Sequence, residues 1–353
     1  MPMAEAAASE LGVSLIICTY NGASRLPETL HRLSLQQAPE SVRWEVIVVN
    51  NASTDETEAV ARACRPKDGI DFRVVNEPKP GLSHARSRGV QEARYEIVSF
   101  IDDDNRVSSN WVQTLSDLMS SRPEIGACGG ACDPVFESDP PEWFEQYRGN
   151  YVIGTQGTRA GDVTEERGWL WGAGLSIRKS VWLRLLDLGF APMLKDREGE
   201  KLSSCGDIEL SYAIRLSGHR LWYEPALKID HYIPRRRLNW NYVLSLYEGV
   251  GAATVRLDCY EHLLAPRSEG IRNRLRRTWQ YQALASMKQL LAALAMRGRS
   301  RRNSPEHRKS ACSVRFFSAR LRALLQLRGR YDAAIEAMAS AGWISQRPAI
   351  KEA

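Results

Sequence analysis

Residues 96–105, EIVSFIDDDN, run a short apolar, β-branched stretch directly into three carboxylates. Such a run, bounded by charge, reads as a strand buried on both faces of a parallel sheet. Two earlier segments repeat the pattern: 13–18 (VSLIIC) ends at Thr19-Tyr20-Asn21, and 45–49 (EVIVV) ends at Asn50-Asn51. A further run, 72–77 (FRVVNE), leads into the Pro/Gly turn EPKPG. Helical segments fill the gaps. Leu26, Leu30 and Leu33 recur at helical spacing between Arg25 and Gln37, with Pro27 suited to a first turn. In 50–64, Ser53 or Thr54 is placed to cap a second helix, and 82–93 (LSHARSRGVQEA) reads as a third. Strands alternating with helices at this spacing predict βαβ units in a doubly wound, mostly parallel α/β sheet with helices on both faces. Ligands bind such sheets outside the carboxyl ends of their strands. Thr19-Tyr20-Asn21, Asn50-Asn51 and Asp102-Asp103-Asp104 therefore mark the site.

Between residues 122 and 169 the pattern weakens into loops and short strands. Residues 169–182 (WLWGAGLSIRKSVW) read as an apolar strand entering a helix. Residues 205–218 carry Ile208, Tyr212 and Leu216 at helical spacing before a glycine stop, and 221–234 read as strand and turn. Beyond Arg235 the chain turns helical and basic, with helix candidates at 242–256, 279–297, 313–327 and 331–341.

Composition narrows the classes. The chain has 353 residues, 43% hydrophobic and 25% charged, as in an ordinary globular protein with ample apolar surface for a core. No apolar run of roughly 18 residues suggests a membrane-spanning helix. The opening MPMAEAAASELG lacks a basic stretch followed by a long apolar one, so no secretory leader is expected. Seven scattered cysteines suit reduced thiols in a cytoplasm, and the CxxxC of Cys128 and Cys132 has no second pair to make a zinc site. Charge is uneven: residues 265–330 hold 17 Arg and Lys against two acids, a net +15 that leaves −9 for the rest of a +6 chain. Leu284, Met287, Leu291 and Leu294 form one apolar stripe there, and Val314, Phe317, Leu321 and Leu324 another, amid arginines. Stripe plus basic face suits an anionic membrane surface, or helices packed on the body with their arginines in water.

Three adjacent carboxylates repel one another; a hard divalent cation with phosphate oxygens would relieve Asp102, Asp103 and Asp104. A solvated acidic turn is the alternative. Five segments appear in order: 13–26 (VSLIICTYNGASRL), 45–57 (EVIVVNNASTDET), 81–90 (GLSHARSRGV), 96–105 and 206–231 (GDIELSYAIRLSGHRLWYEPALKIDH). Together they resemble family-2 glycosyltransferases of the GT-A fold, the inverting, nucleotide-sugar-dependent kind of bacterial polysaccharide and cell-envelope synthesis. The likeness covers residues 13–231.

The resemblance implies a layout. Residues 1–12 would lack order, 13–234 would form the catalytic domain (nucleotide half 13–121, acceptor half 122–234), and 235–353 a basic helical extension. It also implies roles. Thr19, Tyr20 and Asn21 would contact the nucleotide, with Tyr20 stacked on the base. Asn51 stands where relatives often carry an Asp reading the base edge, and an amide can still accept from a pyrimidine N–H. Arg86 would face phosphate, with Arg88 its near alternative or a solvated charge. Asp103 would lie near the ribose, and Asp104, assisted by Asp102 and His231, would hold Mg2+ or Mn2+. Asp207 would be the general base, although Gly206-Asp207 replaces the family's Glu-Asp; helix capping is its bland alternative. Trp171, Gly172, Ala173 and Glu209 would border the donor sugar and acceptor, with indoles available to stack on sugar rings.

The expected partners are a UDP-, dTDP- or GDP-sugar, a glycan or lipid-linked acceptor and an anionic membrane surface, at the inner face of the cell membrane. A nucleotidyltransferase would need a Gly-rich, basic phosphate loop that CTYNGASR lacks. A nucleic-acid-binding protein led by the basic tail fits poorly with an acidic body and few tail aromatics.

Overall fold

The computed structural model describes residues 10–66, 69–194, 205–265 and 275–344. Strands β1 (Glu10–Thr19), β2 (Trp44–Asn51), β3 (Asp71–Glu77) and β4 (Tyr95–Asp102) lie in the order β3-β2-β1-β4, all parallel. The helices between them are α1 (Leu26–Ser34), α2 (Thr57–Ala63) and α3 (Leu82–Glu92). Beyond β4 the sheet continues through β8 (Ser176–Arg178), β6 (Ile125–Phe136), β9 (Arg220–Ile233) and β5 (Asn105–Val107). β8 runs antiparallel to both neighbours, and β6 and β9 are parallel to each other. The short β7 (Gly161–Asp162) pairs with β9, making nine strands among the described residues.

The alternation of side chains along β1 sorts the core onto two faces. Leu15 and Ile17 pack with Leu26, Leu30 and Leu33 of α1 and with Trp111 and Leu115 of α4 (Trp111–Ser121). Ile16 faces the other way, in the cluster of Ala85 and Val90 of α3 and Trp182 and Leu185 of α6 (Lys179–Asp187). Each such side chain, taken wholly out of water, contributes about 1.5–3 kcal/mol. Only a strand apolar on both faces can be covered this way, which is why the β-branched runs read correctly.

Three expectations are corrected. The strand in 169–182 is confined to β8, because Gly168 (φ +80°) and Gly174 (φ +68°) take backbone conformations foreign to a pleated ladder. Neither Ser53 nor Thr54 caps α2: Ser53 Oγ accepts the Asn21 N–H, and the Thr54 N–H donates to Asn21 Oδ1. Those groups tie the loops after β1 and β2 together, and Asp55 Oδ1 receives the Thr57 N–H at 3.0 Å instead. The segment 1–12 overlaps β1 at residues 10–12, and its remainder lies outside the described residues.

The chain then enters α7 (Gly206–Leu216), α8 (Trp240–Leu264), α9 (Trp279–Arg299), α10 (Pro305–Leu327) and α11 (Tyr331–Ala339). Asn239, Thr278 and Ser304 cap α8, α9 and α10 by accepting the N–H three residues on. Part of the tail's charge is neutralised inside the fold. Arg320 forks onto both oxygens of buried Asp258 at 3.0 and 2.8 Å, and the Tyr331 hydroxyl donates to the same carboxylate. Arg315 and Arg322 both pair with Glu248 of α8. The two apolar stripes part company: Leu324 of α10 is fully buried, but on α9 Leu284 is 71% exposed, Leu291 58% and Leu294 47%. α9 docks through its small side, where Ser286 and Ala293 are buried.

At Gly251 of α8 an added Cβ would lie 2.3 Å from the Phe316 carbonyl oxygen. Gly251→Val should therefore push α10 away and cost about 2 kcal/mol, within the range for overpacking. Thermal unfolding checks this, and an unchanged midpoint would contradict the close approach.

Candidate active site

The carboxyl ends of the parallel strands meet at Asp102-Asp103-Asp104. Asp103, 8% exposed, accepts from the Thr19 hydroxyl at 2.6 Å and from Arg25 through Nε and Nη2 at 2.8 and 2.9 Å. Burial works against the Arg25 charge, but the bonds to Asp103 outweigh it and raise its pKa. Gly22 closes this corner: a Cβ there would stand 2.1 Å from Thr19 Oγ1 and 2.3 Å from Asp103 Oδ2. The Tyr20 side chain is left 46% exposed beyond the strand end.

Asp104 is also buried. Arg237, in the Arg235–Arg237 turn after β9, donates to its Oδ2 at 3.1 Å, and His231 Nε2 lies 3.7 Å from its Oδ1. Burial opposes the Arg237 charge and the Asp104 carboxylate more than restores it, raising its pKa. Asp102 sits at the end of β4 with the Asn105 amide 3.5 Å from its Oδ2. Among the described residues no three His, Cys, Asp or Glu side chains converge as a metal-holding group. Of the expected trio, Asp104 and His231 are neighbours, with Arg237 beside Asp104 and Asp102 at the end of β4.

Asn51 is turned into the fold. Its amide donates to the Glu77 and Lys79 carbonyls at 3.1 and 2.6 Å, and its Oδ1 accepts the Gly81 N–H at 2.8 Å. Both amide hydrogens hold the turn that leads into α3. Arg86 of α3 is buried, its guanidinium carbon 5.3 Å from the Phe100 ring centroid. Arg88 pairs with Glu92 one turn on and is a helix-face charge. Arg86, Asp102 and Asp103 all act electrostatically on Cys18, whose thiol is pushed up to about 12, chiefly by burial.

On the opposite rim, Asp207 lies in the first turn of α7. Cys205, at φ +81°, occupies the capping position, so Asp207 is not the cap. Its Oδ2 accepts the Gly172 N–H at 2.7 Å and its Oδ1 the Ile208 N–H at 3.0 Å. Gly172 is the meeting point: a Cβ on it would lie 3.1 Å from Arg86 Nη2 and 3.3 Å from Asp207 Cβ. Trp171 and Ala173 flank it, both buried. The Arg167 guanidinium stands 4.1 Å from the Trp169 ring centroid and 4.7 Å from that of Trp171. One face of each indole expected to stack on sugar is therefore covered by an arginine. Glu209 also faces inward: 1% exposed, it accepts from the Met193 and Leu194 N–H groups and from the Tyr260 hydroxyl at 2.6 Å.

Residues 14–167 match the family described as Glycosyl transferase family 2. They form a family 2 glycosyltransferase domain. The glycosyltransferase is 24% identical over 243 residues to the glucosyl-dolichyl phosphate glucuronosyltransferase of Haloferax volcanii, a match covering 67% of this chain and 75% of that protein. Its fold is that of GT-A glycosyltransferases. It superimposes on crystalline S. aureus TarS with a TM-score of 0.51 at 17% identity, covering 94% of this chain and 54% of that one. With GalNAc-T7, crystallised with UDP, GalNAc and Mn2+, the TM-score is 0.50 at 20% identity, covering 71% of this chain and 50% of the other. The chain spans about half the length of both crystallised proteins.

Sequence reasoning missed Arg25, Arg237 and Arg167 in the candidate site. Arg25 stands inside the 13–26 segment and Arg237 six residues after His231, so proximity to motif residues was the available signal. Glu209→Gln should cost about 2 kcal/mol of stability, since an amide cannot accept from donors at both of its ends. Urea unfolding measures this; Tyr260→Phe should cost less, because it leaves the two backbone donors satisfied. Equal stability of Glu209→Gln and wild type would mean those bonds are not made in solution.

Proposed function

We propose that this glycosyltransferase moves a sugar from a nucleoside-diphosphate sugar to a hydroxyl of a glycan or lipid-linked acceptor, with inversion at the anomeric carbon. The observation that carries the reading is the meeting at Gly172, where Arg86 from the strand-end side and Asp207 from α7 approach the same backbone. A phosphate-facing cation and a carboxylate base thus border the same segment, and in the displacement the acceptor oxygen attacks one face of the anomeric carbon while the diphosphate leaves from the other. The diphosphate lies toward Arg86 and the strand ends, with Tyr20 against the base and Asp103 near the ribose. The acceptor hydroxyl gives its proton to Asp207 as its oxygen bonds to the anomeric carbon. The bond from that carbon to the diphosphate breaks in the same step, and its electron pair leaves with the nucleotide. The backbone N–H groups of Gly172 and Ile208 fix the carboxylate's orientation for this transfer.

Asp104 and His231 suit a hard cation that completes its shell with phosphate oxygens: a carboxylate and an imidazole 3.7 Å apart can share one ion. A divalent ion such as Mn2+ or Mg2+, when bound there, neutralises charge on the departing diphosphate. Arg237 already stands beside Asp104 and contributes to the same balance.

Calorimetric titration with UDP, GDP, dTDP and CMP, with and without Mn2+ or Mg2+, tests the donor half. One diphosphate should bind in a metal-dependent way, and Asp104→Ala should abolish it. Asp207→Asn should keep nucleotide binding and lower turnover by roughly 10²-fold or more. Absence of binding for every nucleotide and metal would overturn the donor site.

The exposed stripe of α9 is proposed to lie on an anionic membrane surface, where a lipid-linked acceptor would be presented. Residues 275–304 carry seven Arg and Lys and no acid. A second copy of this helix would bring like charge to like charge, whereas an anionic bilayer complements it. No helix of the described residues is long and apolar enough to cross a membrane. Flotation with phosphatidylglycerol vesicles should carry the chain up, and Leu284→Glu with Leu291→Glu should leave it at the bottom. Equal flotation with neutral vesicles, or a concentration-dependent dimer through this face, would overturn the assignment.

A further inference from the structure

Beside the Asp207 rim opens a cleft of about 730 Å³, lined by Thr155, Gln156, Thr158, Glu166, Arg167 and Tyr223 among others. It is joined rigidly to the base. Gln156 Oε1 accepts the Trp171 N–H at 2.6 Å while its amide donates to the Gly130 carbonyl at 2.9 Å. The next residue, Gly172, is the one whose N–H holds Asp207. One short segment therefore sets both the cleft wall and the carboxylate.

Arg167 is the unusual member of the wall. Three arginines around the site have carboxylate partners: Arg25 with Asp103, Arg237 with Asp104, and Arg215 with Glu165. Arg167 has none within ion-pair distance among the described residues. Its Nε donates to the Trp169 carbonyl at 3.0 Å, and its plane is braced by two indoles. Burial lowers its pKa, and the nearby Asp207 charge works in the opposite direction. Glu166, the one acid among the described residues of the cleft wall, is exposed and makes no ion pair with it. The guanidinium is half-buried and no carboxylate among the described residues pairs with it directly, so an anion brought by a ligand would gain from its charge. The planar fork, held open by ring stacking, fits a carboxylate or a phosphate equally well.

We infer that Arg167 receives an anionic group of the acceptor, a carboxylate or a phosphate, so that the enzyme selects acidic acceptors over neutral ones. This rests on the assignment of the Asp207 side to the acceptor. Its test reads binding alone and needs no turnover.

The full chain is titrated by saturation-transfer NMR with glucuronate, glucose 6-phosphate and glucose, with and without UDP. At least one acidic probe should bind roughly tenfold more tightly than glucose, the better of the two identifying the carboxylate or the phosphate as the source. Arg167→Gln should erase the preference and Arg167→Lys keep part of it, with melting curves confirming the folds. Equal binding of glucose and both acidic probes to wild type overturns the inference whether or not the variants fold. So does a preference that survives Arg167→Gln, or one that disappears when UDP is added, since the anion would then be using the donor's phosphate subsite. UDP binding is read separately, and its absence would count against the donor site alone.

Discussion

Three carboxylates in succession at the end of a buried strand impose a charge problem that the surrounding fold is built to solve. Asp103 and Asp104 are both nearly closed to water, where an unpaired negative charge is untenable. One solution comes from 78 residues earlier, where Arg25 at the start of α1 forks onto Asp103. The other comes from 133 residues later, where Arg237 after β9 reaches Asp104. The two ends of the sheet-forming region are thereby drawn to the same strand end. Removing one member of such a buried pair generally costs about 3–5 kcal/mol, because the survivor stays charged and dry. The pairing thus acts as an anchor for the loops at the strand ends.

That arrangement also marks the limit of what could be read from the chain alone. β1 to β4 and the helices between them were legible because burial on both faces of a sheet demands uninterrupted β-branched runs, and these are local. The polar clusters at their ends were legible for the same reason. The destinations of long polar side chains were not. Asn51 and Glu209 look like ligand-facing residues in a linear motif, yet both direct their hydrogen bonds to backbone groups of loops and, for Glu209, to Tyr260. Arg25 reads as an ordinary helix-start residue until Asp103 is placed beside it. Indoles at 169 and 171 suggested sugar platforms because nothing local announces that Arg167 folds back across them.

The two amphipathic stripes of the tail make the same point in apolar form. Val314, Phe317, Leu321 and Leu324 resemble Leu284, Met287, Leu291 and Leu294 in spacing and composition, but the first set is half-buried with Leu324 fully enclosed, whereas the second is exposed. Packing decided between them through small residues: Gly251 lets α10 come against α8, while α9 contacts its neighbour through Ser286 and Ala293 and turns its large side chains outward. Amphipathic spacing is a property of one helix taken alone, whereas burial depends on what stands next to it.

Glu209 sits in α7, two residues after Asp207, and its partners lie on either side of a boundary that the sequence draws between a catalytic region and a tail. The Met193 and Leu194 amides belong to the first and the Tyr260 hydroxyl to the second. The tail is consequently not an interchangeable module. A recombination event that exchanged everything after residue 234 for a foreign helix would remove one donor from a carboxylate that has no route to solvent. The residues on the two sides of that junction are bound to change in concert, and descent should carry them as one inherited unit.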